Sequence, residues 1–290
     1  MKRSLRRSGD VHKGSFGHAW IIAGSSGMPG AGRLAAEAAM RSGAGKTTWV
    51  TTREAYRVMG RAIPEVMALT YPSAADGGLP AVSVSRILRR ALASATAIGI
   101  GPGLGRTTVT KRLVRGLLRS ARVPLVLDAD ALWALEGDAG RLRTARANVI
   151  LTPHEGELAR LFGAARVGVR PALRGPVAKR IANQYHCVLV WKGPRTKVVS
   201  SDAKFFQNTT GNPGLAKGGS GDVLTGIITA LAAQGFSAFD AARIGVHAHG
   251  RAADLAVRRT GWTALAPSDV LKALPDVWRG LEKRASLKKL

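Results

Sequence analysis

Five consecutive residues, Gly218, Gly219, Ser220, Gly221 and Asp222, carry the clearest chemistry in the 290-residue sequence. They stand directly before VLTGIITALAAQG, an apolar run that predicts a long buried helix. The first turn of a helix leaves backbone N–H groups without intrahelical partners, and the helix dipole makes that end attractive to anions. Glycines keep side chains out of the space in front of those amides, so the segment reads as an anion hole. A carboxylate at the same place adds a second capacity: Asp222 can take the proton from a hydroxyl that attacks a bound phosphoryl group. The competing reading is an acidic residue that only stabilises the helix start, and the flanking glycines favour the catalytic one.

Other segments supply partners for such a site. Lys192, Gly193, Pro194, Arg195 and Thr196 follow the strand-like run CVLVW, where a lysine and unpaired amides can meet phosphates. His154 and Glu157 follow NVILTP in TPHEGE, with His154 facing either a ligand or solvent. Asp128 and Asp130 close VPLVLDAD and are read either as supports for a metal or nucleotide or as structural. Two motifs are set aside. GAGKTT at 43–48 has Met40 where a P-loop needs glycine, and a helix precedes it while a strand follows. GIGPGLG at 99–105 fails the dinucleotide fingerprint at Leu104 or Arg106, although Gly103 and Gly105 still let a ligand approach the backbone. His247 and His249 are two apart, on different faces of a helix, and receive no metal role. Cys187, the only cysteine, reads as packing in a strand.

The elements that must position these residues alternate. Strands are predicted at 19–24, 47–52, 96–101, 123–130, 148–153 and 187–193, with helices at 30–43, 107–120 and 156–162 between them. A hairpin through KVVSSDAKFFQN and helices at 221–234 and 238–258 complete the chain, and YPSAADGGLP (71–80) reads as a surface loop. Alternation of this kind predicts an α/β fold whose mostly parallel central sheet is covered by helices on both faces. Ligands of such sheets gather outside the carboxyl ends of the strands, where the motifs above fall.

Composition sets the outer bounds. A hydrophobic content of 46% supports one domain over residues 1–290, with basic tails at about 1–11 and 280–290. No apolar run reaches the length of a membrane span and no secretory signal opens the chain, so a cytoplasmic protein is expected. The formal charge of +26 attracts polyanions of any kind. Lys111, Arg112, Arg115 and Arg119 share one face of the 107–120 helix, opposite Val114, Leu117 and Leu118. Aromatic content of 5% and the lack of a nucleic-acid-binding motif argue against a specific reader of sequence, while the charge leaves room for nonspecific nucleic-acid binding.

The glycine-rich entry, Asp222 and the apolar helix together resemble the anion-hole signature of the ribokinase-like superfamily. The longer string NPGLAKGGSGDVLTGIITALAAQG is similar to that of the ADP/ATP-dependent NAD(P)H-hydrate dehydratases. So, in order, are HKGSFGHAWIIAGSSGMPGA, RSGAG, PEVM, GIGPGLG, LVLDADAL, LTPHEGELARLFG and VWKGPRT, spanning His12 to about Trp278. The resemblance implies a lyase that restores NADH or NADPH from the S epimer of its hydrate, NADHX or NADPHX, in metabolite repair. A ring hydroxyl is phosphorylated by ADP, the favoured donor, or by ATP, and phosphate is then eliminated. It implies Asp222 as base; Ala31, Gly103, Gly105, His154 and Asp222 against the hydrate; Lys192 to Thr196 and Gly221 against the nucleotide; and Glu157 toward Mg²⁺. A separate NAD(P)HX epimerase and a homo-oligomer complete the expected partners. Lys46, after RSGAG, departs from the family pattern, and Lys217 adds a charge before the anion hole that either faces phosphates or solvent. The alternatives are a kinase of vitamin precursors with the same fold and, less favoured, a basic nucleic-acid-associated protein.

Overall fold

The computed structural model describes residues 5, 7, 9–60, 63–163 and 174–287, without the side chains of 284–287. Most of the basic amino-terminal tail and residues 288–290 lie outside the described residues. Seven parallel strands form the centre: β1 (His18–Ile22), β2 (Lys46–Thr52), β3 (Met67–Tyr71), β4 (Ala97–Ile100), β5 (Leu125–Leu127), β6 (Val149–Leu151) and β7 (Cys187–Trp191). The expected hairpin, β8 (Lys197–Val199) and β9 (Phe205–Gln207), adds two antiparallel strands, giving the order β3-β2-β1-β4-β5-β6-β7-β8-β9.

The helices, in chain order, are α1 (Pro29–Arg41), α2 (Arg53–Met59), α3 (Ser83–Ser94), α4 (Thr108–Ser120) and α5 (Asp130–Trp133). They continue with α6 (Glu155–Phe162), α7 (Arg174–Gln184), α8 (Ser220–Ala233), α9 (Ala238–Ala264) and α10 (Pro267–Leu287). Alternation along the strands sends successive side chains to opposite faces. Trp20, Ile22, Ile98, Ile100, Leu125 and Leu127 therefore join one core with α3 to α7. Ala19, Ile21, Ala97 and Val126 join the other, with α1, α8, α9 and α10. Every residue of α8 from Val223 to Ala233 is buried, which is why its sequence shows no polar face.

Three features differ from the sequence reading. The carboxyl-terminal segment continues α10 as far as Leu287; Pro275 inside it obscured the helical pattern. Helix α9 runs past residue 258 to Ala264 across a break at Gly261, where φ is 67°. The 71–80 stretch is more than a surface loop. Tyr71 ends β3, Leu79 is buried in the core, and the Gly77 carbonyl accepts from the Ser26 amide at 2.9 Å, so it braces the loop after β1.

Strand order reverses between β1 and β4, and the loops leaving those two strands meet there. The Gly24 amide donates to the Pro102 carbonyl at 2.8 Å. GAGKTT follows the end of α1 and runs into the start of β2, so a helix precedes a strand and no phosphate-binding loop forms.

Candidate functional site

Helix α8 begins abruptly. Its N-cap, Gly219, has φ 93°, a conformation disfavoured for residues with a Cβ. A Cβ there would also lie 2.9 Å from Leu34 and 3.0 Å from Pro267, so both backbone and packing require glycine. No side chain caps the helix. The Ser220 amide donates to the Lys217 carbonyl at 3.3 Å; among the described residues, no backbone acceptor takes the amides of Gly218, Gly219 or Gly221. In front of Gly218 there is open space. Upstream, Asn212 caps the turn Pro213–Leu215, and Asp254 of α9 holds both the Gly211 amide (3.0 Å) and Asn212 Nδ2 (3.1 Å).

Asp222 lies in the first turn of α8, and its carboxyl group is pushed up to about 6. Burial is the main cause and the Asp128 carboxylate adds to it; Lys192 pulls the other way, and Asp130 raises it further. A carboxylate that ionises near this pH is a competent proton acceptor at neutrality.

Three distant segments build the charge pair behind it. Lys192, just past β7, donates from Nζ to Asp128 Oδ1 at 2.8 Å, and Thr225 of α8 donates to Asp128 Oδ2 at 2.8 Å. Lys192 Nζ also lies 3.7 Å from Glu157 Oε2. Burial would depress the lysine, but the charges of Asp128, Glu157 and Asp222 outweigh it and hold the ammonium above its ordinary range. A Cβ on Gly221 would stand 3.3 Å from Lys192 Nζ, so the cation sits beneath the helix start. The other nucleotide candidates, Gly193, Pro194 and Arg195, form an exposed turn, with Thr196 bonded to the Gly193 carbonyl at 2.9 Å.

The hydrate candidates lie at the switch point and beside it. A Cβ on Gly103 would be 2.8 Å from the Ala31 Cβ, so the PGA and GPGLG turns touch. Asp130 fixes that turn by accepting from the Gly105 amide at 2.8 Å. His154 caps α6: Nδ1 accepts from the amides of Gly156 (3.1 Å) and Glu157 (3.4 Å), while Glu157 Oε2 accepts from the His154 amide at 2.9 Å. With Nδ1 occupied as an acceptor, the proton of a neutral ring belongs on Nε2. Nε2, on the half-exposed side of the imidazole, lies 3.5 Å from Glu157 Oε2.

Among the described residues no three acidic, histidine or cysteine side chains converge on a point. A cage made wholly of protein is thus absent among them, yet Mg²⁺ usually keeps several waters and needs only one or two carboxylates beside phosphate oxygens. Glu157, whose cap and lysine contacts both use Oε2, suits that limited role.

Two residues stand out that the sequence did not reveal. Thr225 anchors Asp128, and His249 of α9 lies against the Ser220 backbone. Burial, with Lys192 adding to it, depresses the His249 imidazole to about 4, so it packs neutral behind the helix start. Lys217 bonds the Thr263 carbonyl and braces α9. Cys187 is buried and its thiol is pushed up to about 12 by that burial, as packing requires.

A model of the family described as NAD(P)H-hydrate dehydratase matches residues 19–276, the stretch that holds every residue named in the site. The chain belongs to the NAD(P)H-hydrate dehydratase family. A bifunctional NAD(P)H-hydrate repair enzyme of Moorella thermoacetica is 41% identical over 278 residues, covering 96% of this chain and 52% of that protein. The chain thus spans about half the length of that relative. An ADP-dependent (S)-NAD(P)H-hydrate dehydratase of Neisseria meningitidis is 39% identical, covering 89% of this chain and 83% of the relative. Among solved structures, the ADP/ATP-dependent NAD(P)H-hydrate dehydratase of Bacillus subtilis, co-crystallised with ATP and Mg²⁺, aligns with a TM-score of 0.81 at 33% identity over 96% of this chain and 94% of its own. A ribokinase-like superfamily protein of Enterococcus faecalis aligns with a TM-score of 0.79 at 26% identity, covering 95% and 91%. The dehydratase family and the ribokinase-like fold agree with the sequence reading. No helix among the described residues is long and apolar enough to cross a membrane.

Proposed function

We propose that the chain converts the S epimer of NADHX or NADPHX to NADH or NADPH, using ADP or ATP as phosphoryl donor. The observation that carries this reading is the uncapped start of α8 with the Asp222 carboxylate, ionising near pH 6, at its edge. In the first step the ring hydroxyl oxygen attacks the terminal phosphorus of the nucleotide. Its proton passes to Asp222, and the bond from phosphorus to the bridging oxygen breaks. The amides of Gly218, Gly219 and Gly221 stabilise the equatorial oxygens; the Ser220 amide contributes less because Lys217 already engages it. Phosphate then leaves with the electron pair of its C–O bond, and a proton lost from the adjacent ring carbon to solvent restores the ring double bond.

Lys192 holds a positive charge beneath the phosphoryl group and keeps Asp222 more acidic than burial alone would allow. The turn of Gly193, Pro194, Arg195 and Thr196 receives the rest of the nucleotide. Ala31, Gly103 and Gly105 line the side on which the hydrate rests, with the exposed His154 imidazole beside it. Glu157, together with the phosphates, would hold Mg²⁺, which would supply charge neutralisation.

The test is incubation of the purified chain with (S)-NADHX or (S)-NADPHX and either ADP or ATP, following absorbance of the reduced nicotinamide. Recovery with at least one nucleotide is expected. No recovery with either, alongside phosphorylation of a pyrimidine or thiazole alcohol, would overturn the reading in favour of a vitamin-precursor kinase.

A further inference from the structure

The dehydratase reading uses the carboxyl edge of the sheet and leaves most of the +26 charge without a task. Part of that charge is concentrated elsewhere. A groove of about 710 Å³ runs between α3, α4 and the 139–146 segment. Its cations are all arginine: Arg112, Arg115 and Arg119 from α4, and Arg141 and Arg146 from the segment before β6. All five are exposed. Among the described residues only Asp138 pairs with them, bound by Arg115 at 3.0 Å and by Arg141. Arg112, Arg119 and Arg146 make no ion pair among the described residues.

The geometry is that of a track. Arg112, Arg115 and Arg119 are three and four residues apart, so they project from one face of α4 over about 10 Å of helix axis, roughly 5 Å from one to the next. The floor is apolar: Leu88 of α3 lies against Gly116 of α4, and Leu118 and Val84 close the bottom. A guanidinium presents a planar fork of donors that matches a phosphate oxygen pair, and a row of them matches a row of phosphates. A globular partner fits poorly, because a stable protein interface needs about 800 Å² per side with a well-packed apolar centre, whereas this surface is concave, narrow and rimmed by charge. Arg119 stands just before β5 and Arg146 just before β6, at the amino edge of the sheet, opposite the edge that carries Asp222.

We infer that this arginine groove binds the sugar–phosphate backbone of single-stranded nucleic acid without reading its sequence. It is a second binding site, independent of the dehydratase reaction. The shortage of aromatic side chains in the groove predicts little base stacking, so affinity depends on phosphate contacts and falls steeply with salt.

The experiment is fluorescence anisotropy of labelled oligouridine and oligodeoxyadenosine of about 20 nucleotides, titrated with the full chain across a salt series around 0.1 M. Two triple variants are compared: Arg112→Ala with Arg119→Ala and Arg146→Ala in the groove, and Arg251→Ala with Arg258→Ala and Arg259→Ala on the exposed surface of α9. Both remove the same charge, and unchanged circular dichroism and melting establish that each is folded. The inference expects saturable binding of both oligomers, at least about tenfold weaker in the groove variant, with its salt slope reduced by about two. The α9 variant should stay within about twofold of the parent. Equal weakening in both variants would overturn the inference, because net charge alone would then explain binding. So would the absence of saturable binding, or displacement of the oligomer by inorganic polyphosphate or polyglutamate at lower charge concentration than by unlabelled oligouridine.

Discussion

Helices α8 and α6 both start at the carboxyl edge of the sheet, a few residues from one another in space through Lys192, and they treat their first-turn amides in opposite ways. At α6 the protein fills them itself: His154 Nδ1 takes two amides and Glu157 returns a bond to the cap. At α8 the cap is a glycine with no side chain, and the acidic residue of the first turn bonds none of the amides in question. Every helix start offers an anion site in principle. The contrast teaches that the offer stands only where the sequence withholds its own caps, and that a carboxylate left out of capping is available for proton transfer.

The contrast can be broken most forcefully at Asp222. Asp222→Asn should lower kcat/KM for (S)-NADHX by about 10²- to 10⁴-fold while nucleotide binding, read by calorimetry, persists. The same change should stabilise the protein. The folded carboxyl group ionises near 6, above its ordinary 3.8, so folding favours the protonated form. Stability from that preference is complete below the unfolded value and lost as pH rises through about 6. At pH 7.5 the variant should therefore gain about 3 kcal/mol, shrinking toward zero near pH 4; a lower melting temperature at pH 7.5 would contradict the burial argument.

Next in size is Lys192→Met. It leaves Asp128 buried without its cation, which should cost about 3 kcal/mol in denaturant unfolding. It also removes the charge that lowers Asp222, so the acid limb of the pH–rate profile, expected near 6 in the parent, should move to higher pH. An unmoved limb would mean that the lysine does not sense Asp222.

A pair of glycines sharpens the comparison further. Gly219→Ala forces a Cβ into a left-handed conformation and into contact with Leu34 and Pro267, and should both destabilise by about 1–2 kcal/mol and raise the nucleotide KM. Gly163 ends α6 with φ 61°, and among the described residues no atom lies within 4 Å of where its Cβ would stand. Gly163→Ala should cost about 1 kcal/mol and leave KM alone. Equal effects on KM would remove any special standing of the α8 start.

The smallest effects fall on the closed helix. His154→Ala should lose about 1 kcal/mol of stability with its cap, and His154→Asn, which can still accept the first-turn amides, should regain most of it. If His154 also meets the hydrate, both variants should raise the KM for (S)-NADHX by about tenfold. A KM restored in the asparagine variant would reduce the histidine to a cap.

Much of this architecture is local and therefore legible in the chain. The alternating strands, the antiparallel hairpin and the glycine-rich entry to an apolar helix are written in neighbouring residues. Elements with weak patterns were not legible. The short β3, with four of its five positions outside the buried core, was not assigned and only its Tyr71 fell in the expected loop, and α10 was hidden by Pro275. The same limit applied to the site, where Asp222 and Lys192 were visible as types but their mutual influence was not.

The sequence by itself determined which helix start could be left open, because capping depends on side chains within one turn and glycines cannot supply them. Only the tertiary structure decided what that opening is worth chemically. Asp128, Lys192 and Thr225 come from β5, β7 and α8, and His249 reaches the Ser220 backbone from α9. Desolvation and charge coupling depend on distance and burial, which chain order does not encode, and those two quantities bring the Asp222 carboxyl group to about 6.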